Sequence, residues 1–513
     1  MFMKYELVGE KTRKDILSKI KLAKKEFATN VLVVCGGKSF EHDISILTAQ
    51  IIANADIKKY NIFVLYQSLN GDFYLMPKDL SIKGFKELSQ GLKVKLEINS
   101  PNISSKSGKT LFRADVAVVC AHGQNCEDGT LAHLFSLCNI ASTSFDATSL
   151  AITLDKEFMK DVFLASGFKT PPYCVIKSSD FDSLKFTLES NISATNFDEI
   201  LANKKLPLDT KKIIQTLSKI GFPMIIKPAN LGSSIGICTC ENIAELISAI
   251  SFASKFDDKI LCEKMLNDFI EINCSARKLN NEIVASRCEE PIKHSSFLSF
   301  NDKYLSGRKG GGKSCLKNKN SKIEQKNIKN DEKNAKNEHF NDNFSENLEN
   351  IIKMTKFLHS ENDNIVESAP PLETLKSAYS VLQNIWHEID QNDSFTLALN
   401  KKENNTNDNS NFAQTQTLVK LSEHFVPQCV IDSIQKITCA LYKKFDCTSV
   451  IRVDFLVTRN YEIFVNEINS IPGSLAYYLW DETISTFIDS LIVSAHKAHC
   501  QHSQKSYYFE THL

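Results

Sequence analysis

Two wholly apolar runs, each followed by glycine and then by a helical pattern, constrain the fold of this chain most. The run Val31–Cys35 leads into Gly36-Gly37, after which apolar residues recur at helical spacing over 44–51. A second such unit begins at Val116–Cys120. Fully apolar runs are typical of strands that are buried on both faces of a parallel sheet. Strands that alternate with helices predict an α/β domain over about residues 30–146.

Periodic patterns also occur on either side of this domain. Apolar residues at helical spacing predict an N-terminal helical extension over 1–30. Strand patterns at 223–228 and 259–263 flank a glycine-rich loop, 231–236, and predict a second, smaller α+β unit. Residues 178–212 show little periodicity, and we interpret them as an insertion in that unit.

A stretch rich in Lys and Asn interrupts the last part of the chain. Residues 313–350 and 400–417 contain few large apolar side chains, so burial cannot offset the entropy lost on ordering them. Between them, an apolar stripe over 372–390 predicts one amphipathic helix. We therefore interpret 313–422 as a long, low-complexity insertion in the C-terminal domain. The expected domains cover residues 31–150, 151–290 and 291–505.

Charge and cysteine usage exclude several classes of protein. The 61 Lys and Arg residues balance 61 Asp and Glu residues, which argues against a nucleic-acid-binding protein. Fifteen cysteines contain no C-x-x-C pair, which favours a reducing cytosol over secretion. The first thirty residues show no apolar signal segment, and no window approaches the ~20 apolar residues of a membrane span. These features predict a cytoplasmic protein without a membrane or nucleic-acid partner.

Polar side chains in a C-terminal hairpin pattern could hold a metal ion. Arg452 and Asp454 are two residues apart on one predicted strand, and Glu467 and Asn469 are two apart on the next. Residues at this spacing share a face of a strand. Two carboxylates and an amide oxygen beside an arginine suit Mg²⁺ held against phosphate oxygens. The same alternation is typical of a solvent-facing strand, so the residues alone leave both interpretations open.

Three further features are ambiguous when read alone. Ser233 and Ser234 lie in a glycine loop near Lys227, and could cover a phosphate or form an ordinary turn. His122 follows an apolar strand and could be a catalytic base or a loop residue. The segment 307–314 satisfies the G-x-x-x-x-G-K-S pattern, but no buried strand precedes it. We interpret that segment as a glycine-rich lid.

Taken in chain order, eight runs resemble the D-alanine–D-alanine ligase family of ATP-grasp enzymes. The runs are GGKSFEHDIS (36–45), AHGQNCEDGT (121–130), LDKEFMK (154–160), GFPMIIKPANLGSSIGI (221–237), CEKML (262–266), FLSFNDKY (297–304), RVDF (452–455) and NEINSIPG (466–473). Each run alone has little specificity, but the ordered set is highly specific. The resemblance implies an α/β, three-domain ATP-grasp architecture with an N-terminal substrate domain. ATP would be gripped between the central and C-terminal domains.

The resemblance also implies a site for ATP and for two Mg²⁺ (or Mn²⁺) ions. The residues expected to contact ATP are Lys156, Lys227, Ser233, Ser234, Glu263, Lys264, Leu266, Glu271 and Lys303. The match at Glu271 is looser, because the loop before it is one residue longer. The expected metal ligands are Asp454, Glu467 and Asn469.

A catalytic group around the amino-acid substrates is implied as well. Glu41 would pair with the ammonium of the first D-alanine, and Ser233 and Tyr304 would form a hydrogen-bonded set with it under a closing lid. Arg452 and the Gly473 N–H would stabilise an oxyanion. The full sets are Glu41, Ser233, Tyr304, Arg452 and Gly473 for catalysis, and His122, Lys303 and Tyr478 for substrate binding.

The implied reaction is ATP-dependent ligation of two D-alanine molecules through an acyl phosphate, for peptidoglycan synthesis. One residue departs from the family pattern: Tyr478 stands where a serine that binds the second substrate is expected. A ligase with a different second substrate, such as D-lactate, D-serine or another amino acid, therefore stays open. So does an inactive nucleotide-binding protein that docks through the helix at 372–390. Members of the family are commonly dimers, which makes a homodimer one expectation.

Overall fold

The computed structural model describes residues 14–23, 28–55, 57–202, 205–232, 235–291 and 426–503. Their strands form three sheets, one of eight strands and two of four, and each sheet has its own buried apolar core. Some of the sequence predictions fall outside these residues. They concern Ser233, Ser234, Lys303, Tyr304, the segment 307–314, the helix at 372–390 and the insertion at 313–422.

The first sheet contains the apolar runs from which the α/β domain was predicted. Its strands are β1 (Thr29–Gly36), β2 (Tyr60–Gln67), β3 (Phe73–Met76), β4 (Leu92–Glu97), β5 (Ser100–Ser105), β6 (Thr110–Arg113), β7 (Val116–Val119) and β8 (Ala141–Ser142). The strand order is β6-β5-β4-β3-β2-β1-β7-β8, and β1 runs parallel to both β2 and β7. Val31–Cys35 is at most 1% exposed, because β1 is an interior strand of this sheet. The α/β prediction is confirmed.

Helices pack onto the first sheet from both ends of the described chain. The N-terminal ones are α1 (14–23), α2 (His42–Asn54), α3 (Ile82–Glu87) and α4 (Thr130–Leu137). The C-terminal helix α12 (Ile484–Ser503) returns to the same sheet, where Phe487 and Leu491 join its core. Helix α12 therefore packs in the core of the first sheet, although it follows the third sheet in the chain. None of the described helices is long and apolar enough to cross a membrane.

The second sheet is antiparallel and small, as expected for the central unit. Its strands are β9 (Tyr173–Lys177), β10 (Met224–Pro228), β11 (Cys238–Cys240) and β12 (Lys259–Lys264), in the order β11-β10-β12-β9. Its helices are α7 (Ser178–Ser190), α8 (Phe197–Leu201), α9 (Leu208–Ile220) and α10 (Ile243–Ala253).

The segment 178–212, which we interpreted as an insertion, contributes to the core of this second unit. Leu184 and Leu188 of α7 and Ile200 of α8 are fully buried against the sheet. Helix α8 has only five residues, and α7 buries only three of its thirteen. This is why the apolar periodicity of the segment is weak in the sequence.

The third sheet consists of two hairpins that lie far apart in the sequence. Its strands are β13 (Phe269–Leu279), β14 (Glu282–Glu289), β15 (Ile451–Thr458) and β16 (Ile463–Asn469), in the order β14-β13-β15-β16. Helices α5 (Ala147–Leu154), α6 (Lys156–Ala165) and α11 (Gln428–Lys444) pack on it. We expected a domain boundary at about 290, but the backbone hydrogen bonds join β13 to β15 across that point. The first hairpin therefore belongs to the same sheet as the second.

Candidate active site

Loops from the first and second sheets meet around the Glu41 carboxylate. Glu41 ends the turn between β1 and α2. A Cβ atom at Gly123 would lie 2.7 Å from Glu41 Oε2, and one at Gly232 would lie 3.1 Å from it. Gly123 also has φ +76°, a left-handed conformation that favours glycine. The two glycines thus allow the backbone of two separate loops to approach the same carboxylate.

Two side chains of the first domain hold the backbone at Ile471, two residues before Gly473. The Ile471 N–H donates to Glu127 Oε1 at 3.3 Å. His122 Nδ1 lies 2.9 Å from the Ile471 carbonyl oxygen, so this nitrogen carries the proton and donates it. His122 Nε2 then accepts from the Thr48 hydroxyl at 3.3 Å. His122 therefore positions backbone in this structure, while its expected contact with substrate stays a prediction.

Glu127 is a half-buried carboxyl that the sequence motifs alone did not single out. Besides Ile471, it accepts from the Gly123 N–H at 2.8 Å and from the Ser470 hydroxyl at 3.3 Å. Burial and the nearby Glu41 charge raise the pKa of Glu127 to about 7, although these hydrogen bonds oppose the shift. The signal was its place in the AHGQNCEDGT run, two residues before a glycine.

Helix α6 delivers Lys156 to the glycine-rich loop of the second sheet. The helix starts here because the Asp155 side chain accepts the N–H groups of Glu157 and Phe158 as an N-cap. The Lys156 ammonium donates to the Leu231 carbonyl at 2.7 Å. Burial lowers the pKa of Lys156, and the Glu467 carboxylate opposes this shift. Lys156 is therefore close enough to the third sheet for the Glu467 charge to affect its pKa.

Lys227 and Glu263 form a buried ion pair on neighbouring strands of the second sheet. The Lys227 ammonium lies 3.2 Å from Glu263 Oε2. Glu263 also pairs with Lys160, which the sequence reading did not single out, at 2.8 Å. Burial alone would raise the pKa of Glu263, but the charges of Lys160 and Lys227 outweigh it and keep the pKa below its ordinary value.

The remaining residues expected around the base and sugar of ATP lie at the end of β12 or after it. The Lys264 N–H donates to the Pro172 carbonyl at 2.8 Å, and its ammonium donates to the Phe222 carbonyl at 2.9 Å. Leu266 is half-buried in the connection to β13, and Glu271 lies on β13. Glu271 is near enough to Asp454 to help raise the pKa of that carboxyl. The expected nucleotide residues thus border both four-stranded sheets.

The expected metal ligands lie side by side on the second hairpin of the third sheet. Asp454 pairs directly with Glu467 in the strand register, and Arg452 pairs with Asn469. Asp454 accepts hydrogen bonds from Arg452 Nε at 2.8 Å and from Asn469 Nδ2 at 3.0 Å. The predicted common face is therefore present, and these side chains are buried or half-buried rather than fully solvent-facing.

The charges at this hairpin fit a divalent cation. Burial raises the pKa of Asp454 to about 6; Arg452 opposes the shift, and Glu467 adds to it. A cation would relieve the repulsion between the two carboxylates, and oxygen ligands are those that Mg²⁺ prefers. The buried Asn273 Oδ1, opposite Asp454 in the register, has no hydrogen-bond partner among the described residues. No three His, Cys, Asp or Glu side chains of the described chain cluster as metal ligands, so a third ligand would be the Asn469 amide oxygen.

The hairpin of β15 and β16 carries the expected metal ligands, and we call it the metal hairpin. After it, the backbone makes a left-handed turn. The 3₁₀ segment Gly473–Leu479 contains three consecutive residues, Ser474, Leu475 and Ala476, with φ between 50° and 54°. Nothing in the sequence predicts this, since none of the three is glycine. The turn buries Tyr478 and brings its hydroxyl within 3.3 Å of Arg452 Nη1, which donates to it.

Comparison with known proteins identifies the family. The family model described as D-ala D-ala ligase N-terminus matches residues 30–144, and the one described as D-ala D-ala ligase C-terminus matches 186–336 and 394–486. A D-alanine–D-alanine ligase of Thermoanaerobacter sp. is 30% identical over 293 residues, which cover 56% of this chain and 72% of the relative. The chain therefore belongs to the D-alanine–D-alanine ligase family.

Other relatives extend the similarity over nearly the whole chain. A D-alanine–D-alanine ligase of Thermosipho africanus is 28% identical over 499 residues, which cover 94% of this chain and 98% of the relative. The solved D-alanine–D-alanine ligase of Coxiella burnetii superposes with a TM-score of 0.57 at 19% identity, covering 93% of this chain and 97% of the other. This likeness confirms the ATP-grasp fold predicted from the sequence.

Proposed function

We propose that the protein is an ATP-dependent ligase that joins two D-alanine molecules and supplies D-alanyl-D-alanine for peptidoglycan synthesis. One observation carries the proposal. Charged groups attached to all three sheets lie close to the buried Lys156 ammonium: Glu467, Lys227 and Glu41. Charges gathered around a buried lysine are typical of sites that bind and activate anionic substrates. Membership of the family names the reaction.

The nucleotide would lie between the second and third sheets. Lys156 and Lys227 would place two cations on its phosphates, with Lys303 and the loop at Ser233 and Ser234 completing this part of the site. Glu263, Glu271 and the backbone from Lys264 to Leu266 would bind the base and sugar. Asp454, Glu467 and Asn469 would hold two Mg²⁺ or Mn²⁺ ions. When bound, these ions neutralise charge on the phosphates.

The reaction would take place between Glu41 and Arg452. Glu41 would bind the ammonium of the first D-alanine, whose carboxylate attacks the γ-phosphorus and forms an acyl phosphate and ADP. The amine of the second D-alanine would then attack the activated carbonyl carbon. The C–N bond forms, the bond from that carbon to the phosphate oxygen breaks, and the departing phosphate takes up the proton that the amine releases. Arg452 and the Gly473 N–H would stabilise the oxyanion of that step. Ser233 and Tyr304 would close over Glu41 to exclude water, which would otherwise hydrolyse the acyl phosphate.

Tyr478 favours a second candidate function, a ligase of the same family with a different acceptor. Its buried hydroxyl contacts Arg452, the residue expected beside the reacting carbonyl. A phenol is larger than the serine expected there, and it would change both the volume and the hydrogen bonding of the acceptor pocket. D-Lactate, D-serine or another amino acid would then replace the second D-alanine. The homodimer and the cytoplasmic location remain predictions.

Phosphate release and product analysis test the two candidates together. The protein is incubated with ATP, Mg²⁺ and D-alanine alone, and then with D-alanine plus one competitor at a time from D-lactate, D-serine and other D- and L-amino acids. The leading proposal predicts phosphate release with D-alanine alone, and a product with the mass of D-alanyl-D-alanine. Turnover only with a competitor would support the second candidate. No ATP turnover with any mixture would favour an inactive nucleotide-binding protein.

A further inference from the structure

Lys160 is a fully buried lysine to which the proposed reaction assigns no role. It lies on α6, one turn after Lys156, and its side chain is 0% exposed. Its ammonium lies 2.8 Å from Glu263 Oε2 and donates to the Thr170 hydroxyl at 2.7 Å. It also donates to the Asn466 carbonyl at 3.4 Å, next to Glu467. Lys160 therefore contacts the second sheet and the metal hairpin of the third at once.

Lys160, Lys227 and Glu263 form a buried cluster with two positive charges and one negative charge. Glu263 is 1% exposed and pairs with two lysines, Lys160 and Lys227. An ion pair of Lys227 with Glu263 alone would be neutral, and an extra buried charge is costly unless something uses it. Burial lowers the pKa of Lys160 to about 8, with Glu263 opposing, so Lys160 is still mostly protonated at neutral pH. The three side chains together then carry one net positive charge beside Lys156.

We propose that Lys160 is a positioning residue that neutralises Glu263, so that the positive charge of Lys227 stays available for the nucleotide phosphates. Its bond to the Asn466 carbonyl also fixes this charge beside the metal hairpin. This role rests on the proposed function, because it requires a nucleotide phosphate at Lys227. Without Lys160, Glu263 would neutralise Lys227, and the phosphates would face a weaker field.

The test compares the binding of ADP with the binding of adenosine, which lacks the two phosphates. Binding of each, in the presence of Mg²⁺, is measured by isothermal titration calorimetry for the wild type and for Lys160→Met, which keeps the length of the side chain without its charge. Lys160→Met is expected to weaken ADP binding roughly 10- to 50-fold, the size expected from one unit charge about 7 Å away at an effective dielectric constant of about 20. Adenosine binding is expected to change less than about threefold.

A double variant keeps the test decisive if Lys160→Met fails to fold. Lys160→Met combined with Glu263→Gln removes both charges and leaves Lys227 with the same net charge as in the wild type. Its ratio of ADP affinity to adenosine affinity is expected to return to within about threefold of the wild-type ratio. Glu263→Gln alone is expected to raise that ratio. Lys169→Met, at an exposed lysine that pairs with Glu462 on the surface, is the matched control and is expected to leave both affinities unchanged.

Several outcomes would overturn the proposed role of Lys160. Equal weakening of ADP binding and adenosine binding in Lys160→Met would indicate a purely structural role. Wild-type ADP affinity in Lys160→Met would also contradict the proposal. The double variant could retain the full ADP defect. A wild type that does not bind ADP would overturn the role as well. A wild type that binds ADP but does not release phosphate with D-alanine would defeat the proposed function while the charge role of Lys160 still holds.

Discussion

The nucleotide end and the acceptor end of the candidate site differ in how their polar groups are held. At the nucleotide end, regular elements position paired charges, as with Lys156 on α6, Lys227 on β10 and Glu263 on β12. At the acceptor end, an irregular left-handed turn places Tyr478 against Arg452. Side chains on helices and strands are fixed by the regular geometry of the element, whereas this turn depends on three buried residues in left-handed conformations. From this difference we expect substitutions at the nucleotide end to affect ATP and metal, and substitutions in the turn to affect the acceptor.

The largest effect is expected at the metal hairpin, which both ends share. Glu467→Gln keeps the size of the side chain but removes a charge directly opposite Asp454. Even residues that only support metal ligands cost about 10- to 100-fold when removed, so turnover is expected to fall by at least about 100-fold. Steady-state phosphate release measures the loss, and the melting temperature checks that the fold is retained.

Glu462→Gln is the matched control for Glu467→Gln. Glu462 is exposed and immediately precedes the same strand, so its change is expected to leave turnover within about twofold. Near-normal turnover of Glu467→Gln would remove the metal role from this hairpin. The nucleotide end and the acceptor end would then have no metal-binding hairpin in common.

A smaller effect, on stability, is expected at Glu127, which ties the first domain to the start of the acceptor turn. Its pKa of about 7 lies above the ordinary value of 4.5, so the folded state favours the protonated carboxyl. That contribution to stability is complete below about pH 4.5 and is lost as the pH rises through about 7. The loss is on the order of 3 kcal/mol as an upper bound. Glu127→Gln cannot titrate and is expected to flatten the pH dependence of the melting temperature in this window.

Thermal unfolding of both proteins between pH 4.5 and 8 checks this expectation. Glu189→Gln, at an exposed position on α7, is expected to follow the wild type. If the wild type and Glu127→Gln showed parallel curves, Glu127 would not titrate in this pH window.

The two ends also differ in how far the sequence predicted them. Lys227, Asp454 and Glu467 were placed correctly on strands, because each lies in a strand pattern with regular spacing. The pairing of β13 with β15 was missed, because that register joins segments more than 170 residues apart. The environments of Lys160 and Glu127 were missed because burial and charge pairing depend on tertiary contacts that no local pattern encodes.

The acceptor turn was the part least accessible to sequence reasoning. Consecutive left-handed residues usually require glycine or asparagine, and this turn contains neither at Ser474, Leu475 or Ala476. Their conformation follows from the packing of Leu475 and Ala476 into buried positions between the sheets. The sequence could therefore indicate that Tyr478 departs from the family pattern, but not that its hydroxyl reaches Arg452.

The smallest expected effect, and the one that most sharpens the comparison, is at Tyr478. Tyr478→Ser removes a buried ring and a hydroxyl that accepts from Arg452 Nη1 at 3.3 Å. The Michaelis constant for the second substrate is expected to change about 3- to 10-fold, the size of one lost hydrogen bond, while the constant for ATP stays within about twofold.

Tyr478→Phe keeps the ring and separates the hydrogen bond from the volume. The neighbouring Tyr477→Phe is the control, and is expected to change neither constant by more than about twofold. Initial rates at saturating first substrate, with D-alanine, D-serine and D-lactate as acceptors, give these constants. Equal changes for ATP and acceptor would mean that the turn supports the whole site, and the two ends would no longer be separable.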